Sequence, residues 1–487
     1  MYDAKNYTYL PMHIQVDSEI GSLKALLIHS PDSGLGKVVP SKAQDWLFED
    51  IVHLDIVRSK EYDYYLKILL YFLDPDKIKG KLQQIDSPEN SRAFYKPDNP
   101  DFHNSTKVIE LQNLLTDILH DPDICQKLTA SVCAIEGCTY QLEQELLNTS
   151  PSELAKVFIS GSMANDNMIF PPIPNFIFTR DIGITINDHI LLNKPAKKAR
   201  ARETLLARYI FFNHQLFKDY RDKIIEIPDT LQFFLRPGEE HGEKTTIEGG
   251  DVMVVSKDHV LIGCSERTSA SGASEAIKML FERNVVSKAT VVKIPPKRDF
   301  MHIDTIFTQV KRNMWVLLGS IGSQEQSKGL DPIDYISEKR NKEKPEIIQF
   351  TRNEIGSPKT FSCIEHLLDD ISQNDLKSNR PTEFIYSGNN IFPYDAREQW
   401  TDSCNLLAIR EGVVIGYDRN DKTVEAFKEK GFEVIKASDL INKFENGELN
   451  PESIENTLIL MPSAELSRAR GGFHCMSMPL LRESFKR

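Results

Sequence analysis

Leu406-Leu407-Ala408-Ile409 runs through Arg410-Glu411-Gly412 into Val413-Val414-Ile415-Gly416-Tyr417. Two apolar, β-branched runs joined by a short turn containing glycine spell a hairpin. Residues 423–430 continue with helix formers, and Gly431 supplies the residue type that ends a helix. Phe432-Glu433-Val434-Ile435 then reads as another strand. The unit is strand, turn, strand, helix, strand.

The same order occurs upstream. Residues 252–255, the turn Lys257-Asp258 and residues 259–263 make a hairpin, followed by a helix over 273–283 and a strand over 289–294. Residues 182–186, Asn187-Asp188 and residues 189–192 precede a helix over 200–212 and a strand over 223–227. Strands over 23–29 and 315–318 belong to two further units. A repeated supersecondary unit buries its apolar faces against its neighbours, and about five of them would close a ring, a propeller-like α/β arrangement. A plain α/β sheet with irregular insertions is the alternative.

Three regions interrupt the pattern. Residues 75–107 are polar and punctuated, as in Asp86-Ser87-Pro88-Glu89-Asn90, and read as loop. Residues 108–158 show helical periodicity at Leu111, Leu114, Leu115, Ile118 and Leu119, which predicts a helical insertion. Residues 323–346 are charged and read as a long surface excursion. The chain thus divides into a first unit (1–74), a loop plus helical insertion (75–160), and the remaining units with a C-terminal loop that carries chemistry (161–487).

The opening Met1-Tyr2-Asp3-Ala4-Lys5-Asn6-Tyr7 lacks a basic segment followed by an apolar run, so no secretory signal is read there. No stretch is long and apolar enough for a transmembrane helix. The seven cysteines are scattered and free of CxxC spacing, which suits a reducing compartment. A formal net charge of −12 opposes nucleic-acid or anionic-membrane partners. The expectation is a soluble cytoplasmic protein, and the sequence leaves open whether copies form a homo-oligomer.

Near the C-terminus, Arg468-Ala469-Arg470-Gly471-Gly472-Phe473-His474-Cys475 sets one cysteine in a glycine-flanked, cation-rich loop. Nearby cations and partial exposure lower a thiol's pKa, so the loop suits a nucleophile, although a buried structural cysteine is the plainer reading of one thiol alone. Upstream lie Asn175-Phe176-Ile177-Phe178-Thr179-Arg180-Asp181, Glu248-Gly249-Gly250-Asp251, Ser265-Glu266-Arg267-Thr268 and Met301-His302-Ile303-Asp304-Thr305. Each segment alone can be a surface pair or a turn. Together, Cys475, His302 and the carboxylates Asp181, Glu248 and Asp304 allow two chemistries. One is a zinc site, against which only His302 and Asp304 stand close in sequence. The other is attack on a cation: carboxylates hold a planar guanidinium, a thiolate attacks its carbon and a histidine shuttles protons.

In that order, and with Arg470-Gly471-Gly472-x-His474-Cys475-Met476-Ser477-Met478-Pro479, these motifs resemble bacterial arginine deiminases of the guanidino-group-modifying, or amidinotransferase, superfamily. The resemblance extends to Glu19-Ile20-Gly21-Ser22-Leu23-Lys24, Arg397-Glu398-Gln399-Trp400 and Tyr417-Asp418-Arg419-Asn420, and so covers most of the chain. It implies a five-bladed pseudo-symmetric α/β propeller of ββαβ units with a helical insertion. It further implies hydrolysis of L-arginine to citrulline and ammonia through a cysteine thiouronium, with no metal and no cofactor. By the same resemblance Cys475 is the nucleophile and His302 the acid–base. Asp181 and Asp304 clamp the guanidinium, and Glu248 supports the histidine and the substrate. Arg200, Arg267, Arg470 and Asn175 meet the amino-acid end, and Phe178 walls the aliphatic stem. The competing readings are an amidinotransferase or a hydrolase of a related guanidino or ureido compound, and a non-catalytic arginine-binding protein on the same scaffold. Departures from the family pattern include Ile182 in place of proline and Phe473 in place of glycine. Ser30 and Gly34 depart from it too, and there are extra residues near Pro75, after His302 and around 442–460. Phe473 and these insertions are expected to reshape the pocket entrance.

Overall fold

Strands buried on both faces read as unbroken apolar runs, and a parallel neighbour can be reached only by a crossover, usually helical. Such runs and crossovers recur in the computed structural model, which describes residues 12–485 except 44, 47, 49, 166, 229–243, 323–344 and 355. Among the described residues the chain is a mixed α/β protein with five separate sheets. In every sheet a central strand pairs antiparallel with one neighbour and parallel with another.

Gly183–Ile186 pairs antiparallel with His189–Leu192, which pairs parallel with Ile224–Ile225. The helix Ala201–Asn213 makes the crossover. The hairpin turns at Asn187, whose φ of 53° is a left-handed value that asparagine tolerates. Val252–Ser256, His259–Cys264 and Lys288–Lys293 repeat the arrangement around the helix Ala270–Glu282. Ser269 caps that helix by accepting from the Gly272 amide. Phe307–Lys311, Met314–Leu317 and Glu383–Tyr386 form the next unit. Leu407–Arg410, Val413–Tyr417 and Thr457–Met461 form another, with Glu433–Lys436 added at the edge. There Gly431, at φ 78°, follows the helix Asp421–Glu429 as expected. The last sheet joins the two ends of the chain: Leu23–Ile28 pairs antiparallel with Met478–Arg482 and parallel with Val108–Glu110.

Several expectations are corrected. Residues 108–110 are a strand and not the start of the helical insertion. The insertion comprises Leu111–Leu119, Pro122–Glu136, Tyr140–Leu147 and Pro151–Ser160. Residues 75–107 are not plain loop: they hold Leu82–Ile85 and single helical turns, and Ile78, Ile85 and Tyr95 enter the core. The strand over 223–227 shrinks to two residues. Glu346–Thr351 and Lys359–Phe361, which were not anticipated, extend the sheet containing Lys288–Lys293. The surface excursion falls on residues outside those described, apart from Glu346 and the residue before it, and so does the N-terminal heptapeptide. Among the described residues no helix is long and apolar enough to cross a membrane.

Candidate active site

Short 3-10 turns lead into the first strand of successive units, and these turns carry the reactive groups. Thr179–Ile182 precedes Gly183, Gly249–Asp251 precedes Val252, and Ile303–Thr305 precedes Phe307. Asn405 lies just before Leu407, and Cys475 just before Met478. Equivalent positions in the five sheets therefore bring Asp181, Glu248, His302 and Cys475 to one open cavity and place Asp251, Asp304 and Asn405 behind its lining. Asn175, Phe178, Asp181, Arg200, Glu248, Arg267, His302, Arg470 and Cys475 line it, joined by Met301, Thr305 and Ala469. Asp304 is the one residue chosen from the sequence that does not line the cavity. It is fully buried beneath it, against the Cys475 thiol.

The His302 Nε2 lies 3.1 Å from Glu248 Oε2, and its ring crosses Gly250 so closely that a Cβ there would collide with the imidazole. The Gly250 amide donates to Asp181 Oδ1 at 3.3 Å. Asp304 Oδ2 is 2.9 Å from His474 Nδ1 and 3.5 Å from Cys475 Sγ, while its Oδ1 has no partner among the described residues. Asn405 fixes this corner: its Oδ1 accepts from the Cys475 amide at 3.1 Å and its Nδ2 donates to the Asp304 carbonyl at 3.3 Å. Beneath it, Glu19 Oε2 is 3.2 Å from His474 Nε2 and 3.4 Å from Arg180 Nη2. Asp251 accepts from the Ile303 amide at 3.0 Å and the Ser265 hydroxyl at 2.6 Å, bracing the turn beside His302.

These contacts set the protonation states. Burial opposes a charge on His302, but the carboxylates of Asp181, Glu248 and Asp251 raise it to about 10. Burial would raise Glu248, yet Arg200, His302 and Arg267 hold it well below the usual carboxylate range. Asp304 is likewise lowered against its burial, by the His474 hydrogen bond and charge. Burial lifts Asp251 to about 6. Cys475 runs against the expectation of a cation-activated thiol. Burial, then the charges of Asp304 and Asp181, push its pKa well above the ordinary value and favour the protonated thiol.

Arg200 is bonded to carboxylates of the cavity. It does not stand free at an amino-acid end: its Nη1 bonds Asp181 at 2.9 Å and Glu248 at 3.0 Å, and its Nε bonds Glu203 at 2.8 Å. Asp181, Glu248 and His302 offer ligand atoms within 4.8 Å of one another, a spacing that could hold a metal ion. An ion there would have to displace a guanidinium already shared by both carboxylates. At the mouth, Arg267 Nη2 meets Met301 Sδ at 3.6 Å, and Asn175 Nδ2 donates to the Trp46 carbonyl at 2.9 Å. Phe473 does not shape the entrance. It is buried between Tyr65 and Tyr417, with ring centroids 5.0 and 4.8 Å away. The insertions near 75–107 and 442–460 meet each other, Glu445 accepting from the Gly80 and Leu82 amides, and add no residue to the cavity.

Glu19, Asp251, Asn405 and His474 were not chosen from the sequence, although three of them stand within motifs quoted above. A carboxylate or imidazole beside a reactive residue was their available signal. Asn405 had none, because its partners lie 70 and 101 residues away.

The arginine deiminase family profile matches residues 103–482. An arginine deiminase of Staphylococcus aureus (strain JH9) is 29% identical over 483 residues, covering 96% of this chain and 98% of that protein. Among solved structures, SxtG, an amidinotransferase from Microseira wollei, aligns over 97% of this chain and 98% of its own at 13% identity and a TM-score of 0.43. The N-terminal domain of ArgZ, a cyanobacterial arginine dihydrolase, aligns over 63% of this chain and 76% of its own at 11% identity and a TM-score of 0.36.

Proposed function

This chain belongs to the arginine deiminase family, and from that membership and the charge pattern of the cavity we propose that it hydrolyses L-arginine to L-citrulline and ammonia through a covalent intermediate on Cys475. As a member of the family it is a hydrolase of amidine carbon–nitrogen bonds. The observation that carries the finer reading is Arg200: Asp181 and Glu248 grip a guanidinium in the same cavity as the thiol and the histidine. When the guanidinium of L-arginine enters, Asp181 and Asp304 clamp it and Arg200 releases its two pocket carboxylates, keeping Glu203. The incoming positive charge offsets the two carboxylates that hold the Cys475 proton on, so ionisation follows binding and the thiol proton passes to solvent, where it later meets the released ammonia. Attack forms the S–Cζ bond, and a proton from His302 lets ammonia leave. Water then adds to Cζ and His302 takes one of its protons; as the S–Cζ bond breaks, the remaining hydroxyl proton passes to the departing thiolate, which releases citrulline and restores the Cys475 thiol. Arg200, Arg267, Arg470 and Asn175 receive the amino-acid end, and Phe178 lies along the stem. Incubation with a panel of guanidino compounds, followed by mass analysis, tests the reading. Citrulline from L-arginine supports it; ornithine, or no product, rejects it.

Two further outcomes follow. Asp181→Asn and Asp304→Asn each remove a charge facing the guanidinium; losing one partner of a desolvated ion pair costs about 2–5 kcal/mol, so kcat/KM falls at least roughly tenfold. Wild-type kinetics in both variants would make these carboxylates structural. Agmatine, which lacks the carboxylate, is a poor substrate, and Arg267→Ala narrows the gap between it and L-arginine. A charge-assisted contact is worth about 1.5–3 kcal/mol, or roughly ten- to a hundredfold in kcat/KM. Equal turnover of both compounds by the wild type would remove free arginine as the substrate.

We read the five sheets as blades of a five-bladed pseudo-symmetric α/β propeller of ββαβ units, begun by residues 1–74, interrupted by 75–160 and continued by 161–487. The shared pairing order and the delivery of site residues from equivalent turns support this arrangement. The net charge of −12 and the scattered cysteines support a cytoplasmic enzyme acting on a small molecule, without nucleic-acid or membrane partners.

A further inference from the structure

Arg470 is held in a way that its neighbours in the pocket are not. Its backbone lies in the left-handed region, at φ 60° and ψ 63°, which is uncommon for a residue with a side chain. Its guanidinium is buried and lines the cavity, yet Nε, Nη1 and Nη2 have no hydrogen-bond partner among the described residues. Arg200 is bonded to three carboxylates and Arg267 touches Met301. What Arg470 does have is an aromatic face: its Cζ lies 3.6 Å from the centroid of the Trp400 ring.

A guanidinium stacked on an indole is held through its flat face, and every N–H on its edge stays free to donate. The indole is itself fixed. Trp400 ends the helix Tyr394–Trp400, whose Gln399 donates to the Asp299 carbonyl at 2.6 Å and whose Glu398 accepts from the Lys422 and Thr423 amides, both at 2.8 Å. Trp400 is nevertheless 42% exposed, so burial does not account for the position of its indole. An ion pair would satisfy Arg470 but consume its charge; a stacked indole holds the cation and leaves it available.

We propose that Trp400 is a specificity-determining positioning residue, whose indole holds the Arg470 guanidinium edge-on to the cavity as the receptor for the substrate's carboxylate. The inference rests on the functional reading above, in which a free amino acid is bound. It adds that selection for the carboxylate depends on a side chain outside the cavity lining. A carboxylate arriving at the free edge forms a charge-assisted pair while the ring keeps the guanidinium from turning away.

Trp400→Leu and Trp400→Phe in the full-length enzyme test this, with kcat and KM measured for L-arginine beside the wild type. Trp400→Leu is expected to raise KM roughly tenfold with kcat changed less than about threefold, and Trp400→Phe, which keeps a π face, to recover most of the loss. Melting temperature is measured in parallel, and Trp400→Gln takes the place of Trp400→Leu if the latter does not fold. KM at the wild-type value, a loss confined to kcat, or Phe behaving like Leu overturns the inference. A wild type that makes no citrulline overturns the functional reading itself, and this inference with it; a wild type that makes citrulline beside unaffected Trp400 variants overturns the inference alone.

Discussion

Replacement of Cys475 by alanine abolishes citrulline formation, a fall of roughly 10⁴-fold or more, while L-arginine still binds. The two halves of that outcome have separate causes. The thiol is the attacking group, and Thr305, the hydroxyl among the lining residues, already donates to the His302 carbonyl at 2.7 Å. Binding depends on groups that the substitution leaves in place, namely Asp181, Asp304, Glu248 and the arginines. The loop also survives, because Cys475 is fixed through its backbone, its amide donating to Asn405 and its carbonyl accepting from Arg180 at 2.9 Å. Since burial and the neighbouring carboxylates favour the protonated thiol, its removal deletes no charge. Calorimetric titration with L-arginine and a citrulline assay on one preparation check both halves. Wild-type turnover by this variant would move the nucleophile elsewhere.

How far the molecule could be read in advance depends on the range of the interactions involved. Repeat units with hairpins and helix stops were legible because their signals are local: β-branched runs, Gly412 and Gly431, both at positive φ, and Asn187 at the turn. The strand Glu346–Thr351 was not, since its six residues keep no regular alternation, follow a charged segment and pair with Lys288–Lys293 across a long separation. Val108–Glu110 was absorbed into a helical pattern because three residues cannot display a period of their own. In the site, ionisable residues next to glycines announced themselves. Their partners did not: the route from Cys475 through Asp304 and His474 to Glu19 spans nearly the whole chain. Electrostatics was the least legible part. A loop with arginines at 468 and 470 suggested an acidic thiol, but Arg468 pairs with Asp50 and Glu465 and Arg470 turns to Trp400. The charges nearest the sulfur are therefore carboxylates, and the sign of the field is set by the tertiary structure.

That field makes His302 the second large effect. His302→Gln keeps a polar side chain able to reach Glu248 but removes the proton carrier, and loss of a positioned acid–base typically costs 10²–10⁴-fold in rate. Nothing else lining the cavity replaces it, since the lining carboxylates are committed to cations and Glu248 is held below the range in which it could donate a proton at neutral pH. The same substitution is visible in stability. His302 titrates near 6.5 when exposed and is raised to about 10 in the folded protein, because three carboxylates outweigh its burial. A group raised in this way stabilises the fold fully below its unfolded pKa, and the contribution disappears as pH climbs through the folded value. The wild type therefore loses stability relative to His302→Gln between about pH 6.5 and 10, by on the order of a few kcal/mol. Melting curves of both proteins across that window measure the difference. Parallel curves would mean that the imidazole is neutral in the folded enzyme. The first step would then need another proton source, and His302 would act as a base from the outset. A rate within tenfold of wild type would remove His302 from proton transfer altogether, leaving Asp181, Glu248 and Asp251 as the cage for a structural histidine.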